Sequence, residues 1–167
     1  MNLNNISNKE TKFRNSTLCI LVKEDKVLLA MKKRGFGKGR WNGAGGKQKG
    51  KETIEEAATR ETKEEIGVDV GSLQKVATLD FYFSENLEWN QRVTVFIVKE
   101  WKGEPLETEE MAPKWFKVNN LPFESMWADD IHWLPLVLNG KKIKAKFLFG
   151  ENDVLLDYKV NEIKNGE

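Results

Sequence analysis

The sequence predicts an α/β (α+β) fold formed by a single domain, and three observations carry this prediction. The chain has 167 residues, enough to enclose one hydrophobic core and few for a second domain. Runs rich in β-branched and aromatic residues recur along most of its length, which is typical of strands. One segment, residues 53–66, carries helix signals at both ends.

The individual elements follow from these runs and from the turn residues between them. In chain order, the predicted strands span 17–22, 26–32, 74–84, 92–101 and 114–118, with a closing hairpin over 146–158 that turns at 151–153. The long helix has a capping-box pattern at its start and a glycine stop, Gly67. A second helix is predicted over 126–139 despite Pro135, because Asp129 and Asp130 suit a first helical turn.

The connection between the second strand and the long helix is rich in glycine. Six glycines occur between residues 33 and 46, at positions 35, 37, 39, 43, 45 and 46. Glycine lets the chain turn sharply and lets a backbone come close to another group. We therefore expect a backbone here that bends sharply or approaches a ligand closely.

The acidic residues of the long helix continue its apolar side. At 3.6 residues per turn, that side holds Ile54, Ala57, Ala58, Glu61 and Glu65, with Glu64 at its edge. Burying unpaired carboxylates is costly, so three acids that converge at the inner end of a helix need a cation. Oxygen ligands select a hard ion such as Mg²⁺ or Mn²⁺. The alternative is an exposed helix with salt-bridged glutamates, which is the usual meaning of such a charge run.

Composition limits the location and the partners of the chain. The net charge is +1, so no broad field attracts nucleic acid polymers or anionic membranes. The single cysteine, Cys19, excludes an intrachain disulfide and favours a reducing, cytoplasmic location. Residues 1–15 are polar without a hydrophobic centre, so we expect a flexible extension there. We expect one domain over residues 16–167 and a monomer.

Residues 46–68 resemble the Nudix box of the Nudix hydrolase family. The positions that match its pattern, all in register, are Gly46, Glu52, Arg60, Glu61, Glu64, Glu65, Gly67 and Val68. One position departs, since Thr62 stands where the family has an aliphatic residue. The resemblance implies a Nudix fold, a mixed β-sheet sandwiched between α-helices. It also implies a Mg²⁺-dependent enzyme that cleaves a diphosphate linkage of a nucleotide.

The same resemblance assigns roles to these residues. The catalytic residues would be Arg60, Glu61, Glu64, Glu65 and Glu110, the last from a later loop. The four glutamates and the carbonyl of Gly46 would ligate Mg²⁺, or Mn²⁺ in its place. Glu52 and Arg60 would support these ligands. The metal would bridge the phosphates and lower the pKa of the attacking water, whose proton a glutamate would accept. Which glutamate acts as the base stays open.

Outside the box, the chain resembles the oxidised-purine nucleoside triphosphatases, the 8-oxo-dGTP diphosphatase branch of the family. The likeness is carried by residues 31–37, 39–43, 110–111, 115–116, 126–127 and 129–130. It implies cleavage of oxidised purine (deoxy)nucleoside triphosphates, such as 8-oxo-dGTP and 2-oxo-dATP, to the monophosphate and pyrophosphate. The residues expected to bind substrate are Thr17, Lys32, Phe36, Asn42, Gly45, Gly46, Phe81, Phe83, Met111, Trp127, Asp129 and Asp130.

The chemistry of four of these residues agrees with purine recognition. Asn42 carries both a donor and an acceptor, which suits a purine edge. Asp129 and Asp130 are adjacent carboxyl groups in an apolar segment, where repulsion and desolvation favour keeping one of them protonated. Swapping that proton would let one pocket accept both oxidised guanine and oxidised adenine. Trp127 offers a flat face for stacking a base.

Two alternatives stay open. The first is a Nudix hydrolase of alkylated or other nucleoside triphosphates, or of other diphosphate derivatives. The chain departs from the oxidised-purine branch at Ala44, at Ala128 and in a slightly longer loop over 85–91, and these changes could alter the pocket. The second is a non-catalytic Nudix module that binds nucleotide or RNA, which normally requires lost box carboxylates. None is lost here.

Overall fold

The computed structural model describes residues 2–6 and 11–164 and contains a central sheet with helices packed against it. The helices are α1 Leu3–Ile6, α2 Ile54–Ile66 and α3 Asp130–Leu138. The strands are β1 Arg14–Lys23, β2 Lys26–Lys32, β3 Trp41–Asn42, β4 Asp69–Val70, β5 Gln74–Phe83, β6 Gln91–Val98, β7 Trp101–Lys102, β8 Met111–Lys117, β9 Ile143–Phe149 and β10 Leu155–Glu162. Within the described residues, no helix is long and apolar enough to cross a membrane.

The central sheet is mixed. In the described part of the chain it has eight strands, seven of them in the order β10-β9-β5-β6-β1-β2-β3, while β8 pairs with β2. The pairs β1–β6 and β5–β9 are parallel, and the other pairs in the sheet are antiparallel. β4 and β7 form a separate two-stranded sheet. The predicted α/β (α+β) class is confirmed.

Strand β1 shows why the sheet has two buried faces. Leu18 and Ile20 belong to a core that includes Trp133 of α3, whereas Cys19 and Leu21 belong to a second core together with residues of α2. Neighbouring side chains of a strand point to opposite faces, so a strand that is apolar throughout must be covered on both sides. The sheet therefore lies between α2 and α3, as the family resemblance implied.

The ends of α2 follow directly from its sequence. Thr53 accepts a hydrogen bond from the Glu56 amide, and the Glu56 carboxylate accepts one from the Thr53 amide, both at 3.1 Å. Gly67 ends the helix in the left-handed conformation, at φ 76°. Thr62, the position that departs from the family pattern, is fully buried, and its hydroxyl donates to the Ala58 carbonyl at 2.7 Å. This bond satisfies the hydroxyl within the helix.

The second predicted helix is wrong at its start. It was expected over 126–139, but α3 begins at Asp130. Met126 has extended backbone angles, φ −123° and ψ 173°, because it ends a 3₁₀ turn at Phe123–Ser125. The chain then turns once more, with the Asp130 amide donating to the Trp127 carbonyl at 3.0 Å, before the helix starts. This turn directs Trp127 toward the cavity described below.

The described residues near the N-terminus contact the domain. A flexible extension is predicted over residues 1–15, of which residues 1 and 7–10 lie outside the described residues. Leu3 in α1 is buried against Tyr82 of β5, and its amide donates to Asp157 at 2.9 Å. Strand β1 also begins earlier than predicted, because its first residues pair with β6.

Candidate active site

A cavity of about 430 Å³ lies on the α3 side of the sheet, bordered by the glycine-rich loop and by the turn before α3. Glu65 of α2 forms part of its wall. Every residue predicted to bind substrate also lines it, namely Thr17, Lys32, Phe36, Asn42, Gly45, Gly46, Phe81, Phe83, Met111, Trp127, Asp129 and Asp130. One cavity therefore connects the acidic end of α2 with the pair of aspartates.

Glu65 is the most buried carboxylate of α2. Its residue is 6% exposed, and one carboxylate oxygen accepts a hydrogen bond from the Gly45 amide at 3.3 Å. Burial raises the pKa of Glu65 to about 7, against the opposing charge of Lys32 and the Gly45 bond; the charges of Glu61 and Glu110 raise it further. A carboxylate held in this way is poorly compensated by the protein itself.

Arg60 organises the neighbouring acids. Its guanidinium donates to Glu52 at 3.0 and 2.6 Å, to Glu61 at 2.8 Å, to Glu64 at 3.2 Å and to the Lys47 carbonyl at 2.9 Å. The hydrogen bonds from Arg60 lower the pKa of Glu52 to about 2. Arg60 thus fixes the side chains of three glutamates along one edge of the helix. The Arg60–Glu64 pair follows from their spacing of four residues, at which side chains of a helix meet.

Glu110 lies apart from the acids that Arg60 binds. It forms an ion pair with Arg34, and the Lys32 ammonium is 3.9 Å from its second oxygen. Its pKa is lowered, chiefly by the Arg34 hydrogen bond. In residues 2–6 and 11–164, no three acidic, histidine or cysteine side chains are grouped as a ready metal site. Glu61, Glu64 and Glu110 pair with arginines instead of converging on one point with Glu65.

The backbone at Gly46 lies directly against the Glu61 carboxylate. A Cβ atom placed on Gly46 would be 2.4 Å from the Glu61 Cδ atom, so any larger residue would force the Glu61 carboxylate to move. The Gly46 carbonyl accepts hydrogen bonds from the Thr17 amide at 2.9 Å and from the Thr17 hydroxyl at 3.3 Å, and the hydroxyl can rotate away to leave one lone pair for another partner. Carboxylate and carbonyl oxygens beside the poorly compensated Glu65 make a donor set that fits a hard divalent cation.

The other end of the cavity holds Asp129 and Asp130, which are 2% and 3% exposed. The Trp133 indole donates to Asp129 at 2.8 Å, whereas one oxygen of Asp130 has no hydrogen-bond partner among the described residues. Burial raises the pKa of Asp129 to about 6, and burial with the neighbouring charge raises that of Asp130 well above its ordinary value. These shifts favour one shared proton in the pair.

Trp127 is held on the cavity wall by aromatic and cationic neighbours. The Phe36 ring stacks on it with the ring centres 5.0 Å apart, and the Arg40 guanidinium carbon lies 4.1 Å from its centre. Arg40 in turn pairs with Asp153 at 3.0 Å, at the hairpin turn between β9 and β10. Gly37 passes so close that an added Cβ would be 3.3 Å from the indole nitrogen of Trp127.

Sequence reasoning missed several residues of the cavity wall. Those with side chains that could contact a ligand include Arg14, Arg40, Trp89, Trp133 and Phe149. A signal existed for two of them. Trp133 is four residues after Asp129 in a predicted helix, a spacing at which side chains meet. Phe149 is two residues after Phe147, so both lie on the same face of β9.

Comparison with known proteins agrees with this geometry. The chain belongs to the NUDIX family, because the model of the NUDIX domain matches residues 12–137. The matched range contains all of the carboxylates of α2, Glu110 and the Asp129–Asp130 pair. The resemblance inferred from the box alone is therefore confirmed.

Two relatives are similar over nearly the whole chain. The chain is 45% identical to the oxidized purine nucleoside triphosphate hydrolase of Danio rerio over 149 residues, which are 89% of this chain and 95% of that protein. It is 44% identical to the mouse (Mus musculus) oxidized purine nucleoside triphosphate hydrolase over 147 residues, 88% of this chain and 94% of that protein. These similarities extend beyond the box into the segments that form the end of the cavity with Asp129 and Asp130.

Solved structures show the same fold. The crystal structure of the mutator MutT protein of Bacillus halodurans superposes with a TM-score of 0.80 at 28% identity, covering 89% of this chain and 98% of that one. A MutT NUDIX hydrolase of Burkholderia pseudomallei superposes with a TM-score of 0.61 at 26% identity, covering 66% of this chain and 88% of that one.

Proposed function

We propose that this chain hydrolyses oxidised purine nucleoside triphosphates to the monophosphate and pyrophosphate, with Mg²⁺ as its cofactor and Mn²⁺ able to replace it. The observation that carries the proposal is the shared cavity, whose wall includes Glu65 at one end and the Asp129–Asp130 pair at the other. A ligand that reaches both ends needs a polyphosphate and a purine. The two relatives at 45% and 44% identity, both oxidized purine nucleoside triphosphate hydrolases, support the same substrate class.

At the base end, we assign recognition to Asn42, Asp129 and Asp130. The side-chain oxygen of Asn42 accepts a hydrogen bond from the Gly43 amide at 2.9 Å, which fixes the orientation of its amide group. Its nitrogen keeps two N–H donors for a purine edge. A protonated aspartic acid donates a hydrogen bond and its ionised neighbour accepts one, so a shared proton can match two purine patterns.

At the phosphate end, we assign the metal to Glu61, Glu64, Glu65, Glu110 and the carbonyl of Gly46. When bound, the ion neutralises developing charge on the phosphates and lowers the pKa of the attacking water. Arg60 orients Glu61 and Glu64 through hydrogen bonds of 2.8 and 3.2 Å. Glu110 must exchange its Arg34 partner to join this set.

The reaction is a hydrolysis, so no oxidant or further reactant is needed. The water oxygen forms a new P–O bond as the bond between the α-phosphorus and the bridging oxygen breaks. One carboxylate of the set takes the proton of the water, and pyrophosphate leaves with the bridging oxygen. Lys32, whose ammonium lies 3.9 Å from Glu110, adds positive charge near the departing phosphates.

We further propose that the protein acts in the cytoplasm as a monomer. Cys19 is buried and unpaired, with its pKa raised to about 11 chiefly by burial, and a thiol of this kind is a packing residue. A chain with one such cysteine fits a reducing compartment.

The test is pyrophosphate release in the presence of Mg²⁺, measured as kcat/KM for 8-oxo-dGTP, 2-oxo-dATP, dGTP and dATP. We expect a preference for the oxidised nucleotides. Glu65→Gln should lose on the order of 10³-fold in kcat, because the metal contributes several kcal/mol to the transition state. Glu55→Gln, on the exposed side of α2, is the matched control and should keep full activity.

Two results would contradict this proposal in different ways. Equal turnover of oxidised and ordinary nucleotides would overturn the substrate class and favour a Nudix hydrolase of other triphosphates. Nucleotide binding without turnover of any of the four substrates would favour the non-catalytic module.

A further inference from the structure

An exposed tryptophan stands at the mouth of the cavity. Trp89 ends the 3₁₀ turn Leu87–Trp89, which connects β5 to β6, and 46% of its surface is exposed. Its side chain lines the cavity, yet the core does not require it. This turn lies in the loop over 85–91, which is one of the places where the chain departs from the oxidised-purine branch of the family. Large exposed aromatic groups beside a cavity indicate a ligand contact.

Trp89 belongs to a group of five aromatic side chains in contact with one another, here called the aromatic collar. Going around it, the ring centres are 5.7 Å apart for Trp127 and Phe149, 5.7 Å for Phe149 and Phe83, 5.9 Å for Phe83 and Trp89, 6.3 Å for Trp89 and Phe36, and 5.0 Å for Phe36 and Trp127. All five side chains line the cavity. Phe36 and Phe83 also contact each other directly, with their ring centres 6.1 Å apart, so Trp89 packs against two rings that already meet.

The position of Trp89 is fixed by its neighbour in sequence. Asn90 is 3% exposed, and its side-chain oxygen accepts a hydrogen bond from the Phe83 amide at 2.8 Å. Its carbonyl accepts another from the Arg14 amide at 3.1 Å. The turn is therefore tied to β5 and to β1, and Trp89 does not have to be ordered when a ligand arrives.

Phe36 is the collar residue with the greatest freedom to move. Its side chain is 55% exposed, and it stands between Gly35 and Gly37, both with positive φ angles of 77° and 86°. In the present arrangement it contacts Trp89, Trp127 and also Phe83, at 6.1 Å. A purine that stacks on Trp127 would need the space that the Phe36 ring fills. Once Phe36 moves aside, Trp89 is the fixed aromatic wall on that side of the collar.

We propose that Trp89 is a base-contacting residue that forms an aromatic wall of the cavity beside Phe83 and increases affinity for the purine. This inference rests on the proposed function, since it concerns the same cavity. Contact with an aromatic side chain requires only a flat base, so Trp89 increases affinity for purines in general. Discrimination between oxidised and ordinary purines stays with Asn42 and the aspartate pair.

The first experiment measures binding of 8-oxo-dGMP and dGMP by calorimetry in the absence of metal. Loss of one stacking partner is worth about 1–3 kcal/mol, so Trp89→Ala should weaken binding of both nucleotides by roughly 5- to 150-fold. Trp89→Phe should recover most of the affinity because it keeps an aromatic ring. Leu87→Ala is the matched control, since Leu87 is in the same turn, is 67% exposed and does not line the cavity.

The second experiment separates a contact with substrate from a structural effect. In steady-state kinetics, Trp89→Ala should raise KM by a similar factor and leave kcat and the melting temperature unchanged. Binding by Trp89→Ala equal to that of the unmodified protein would overturn the Trp89 proposal alone. A protein that binds neither monophosphate and turns over no purine triphosphate would refute the proposed function, and the Trp89 proposal with it.

Discussion

Two acidic regions, the glutamates that Arg60 binds and the Asp129–Asp130 pair, lie in opposite electrostatic surroundings. On α2, Arg60 donates hydrogen bonds to three glutamates, and the pKa of Glu52 falls to about 2. At the base end, Asp129 and Asp130 form no ion pair with any described residue, and burial raises the pKa of both. The Arg60 guanidinium keeps Glu52 charged, whereas burial favours the proton on the aspartate pair, as it also does on Glu65 in the cavity wall.

This difference matches what each region would bind. Charged oxygens attract a divalent cation, whereas a purine edge presents uncharged donors and acceptors. A protonated acid can meet an acceptor on the base at a lower desolvation cost than an ionised one. The same residue type therefore serves two chemistries, because the Arg60 guanidinium is present at one end and an apolar wall with Trp133 at the other.

Among the tests of this comparison, the largest effect is expected from removing the Arg60 guanidinium, which defines the first region. Arg60→Ala should lower kcat/KM by about 100-fold, because Glu61 and Glu64 lose the group that orients them. It should also lower the free energy of unfolding by about 1–2 kcal/mol. Arg60→Lys should recover little, since a single ammonium cannot make the forked contacts to Glu52. Kinetics and urea unfolding measure the two quantities.

Lys63→Ala is the matched control for this prediction. Lys63 is on the same helix and pairs with Asp69 at 3.2 Å, but both side chains are more than half exposed, at 54% and 65%. Its loss should change stability by no more than about 0.5 kcal/mol and should leave activity intact. Equal effects of the two substitutions would mean that Arg60 is merely another surface charge.

The next effect concerns the second region. Asparagine cannot exchange a proton with its neighbour, so Asp129→Asn and Asp130→Asn should each favour one purine pattern over the other. We expect the ratio of kcat/KM for 8-oxo-dGTP to that for 2-oxo-dATP to change by about 10-fold. This factor corresponds to the free-energy cost of one unmet buried hydrogen bond. Asp25→Asn, in the exposed β1–β2 turn, is the control. Unchanged activities toward all four nucleotides in both variants would refute the shared-proton hypothesis.

The two regions also differ in how much of them the sequence predicts. The features of α2 are local, since the capping box, Gly67 and the Arg60–Glu64 pair each depend on residues a few positions apart. Helix geometry converts such spacings directly into contacts. The fold class and the strand positions were predictable for a related reason, because strand alternation is also a local pattern.

The base end depends on tertiary contacts that spacing does not contain. The collar joins Trp89, between β5 and β6, to Phe149 on β9 and Phe36 in the glycine-rich loop. The Arg40–Asp153 pair joins residues separated by more than a hundred positions. No periodic pattern encodes such meetings, so only family resemblance pointed to Trp127 and the aspartates. The resemblance gave no role to Trp89, which lies in the loop over 85–91 that departs from the family pattern.

The smallest effect is a pH dependence of stability that follows from the raised pKa values. Asp129 has a pKa of about 6 in the folded chain and an ordinary value near 3.8 when unfolded. Between these values the folded state binds more protons than the unfolded state, so the free energy of unfolding should fall as pH rises from about 4 to 6. One bound proton gives a slope of at most about 1.4 kcal/mol per pH unit.

A carboxylate that is paired with a cation changes the free energy of unfolding with pH in the opposite direction, and Glu52 is an example. Its lowered pKa contributes stability above pH 4.5 that is lost as pH falls toward 2. The measurement is therefore the difference in unfolding free energy between the unmodified chain and the double variant Asp129→Asn, Asp130→Asn, taken at several pH values. The unmodified chain should lose stability relative to the variant between pH 4 and 6. A difference that is constant with pH would show that the pair is as ionised when folded as when unfolded, and the contrast between the two regions would then be lost.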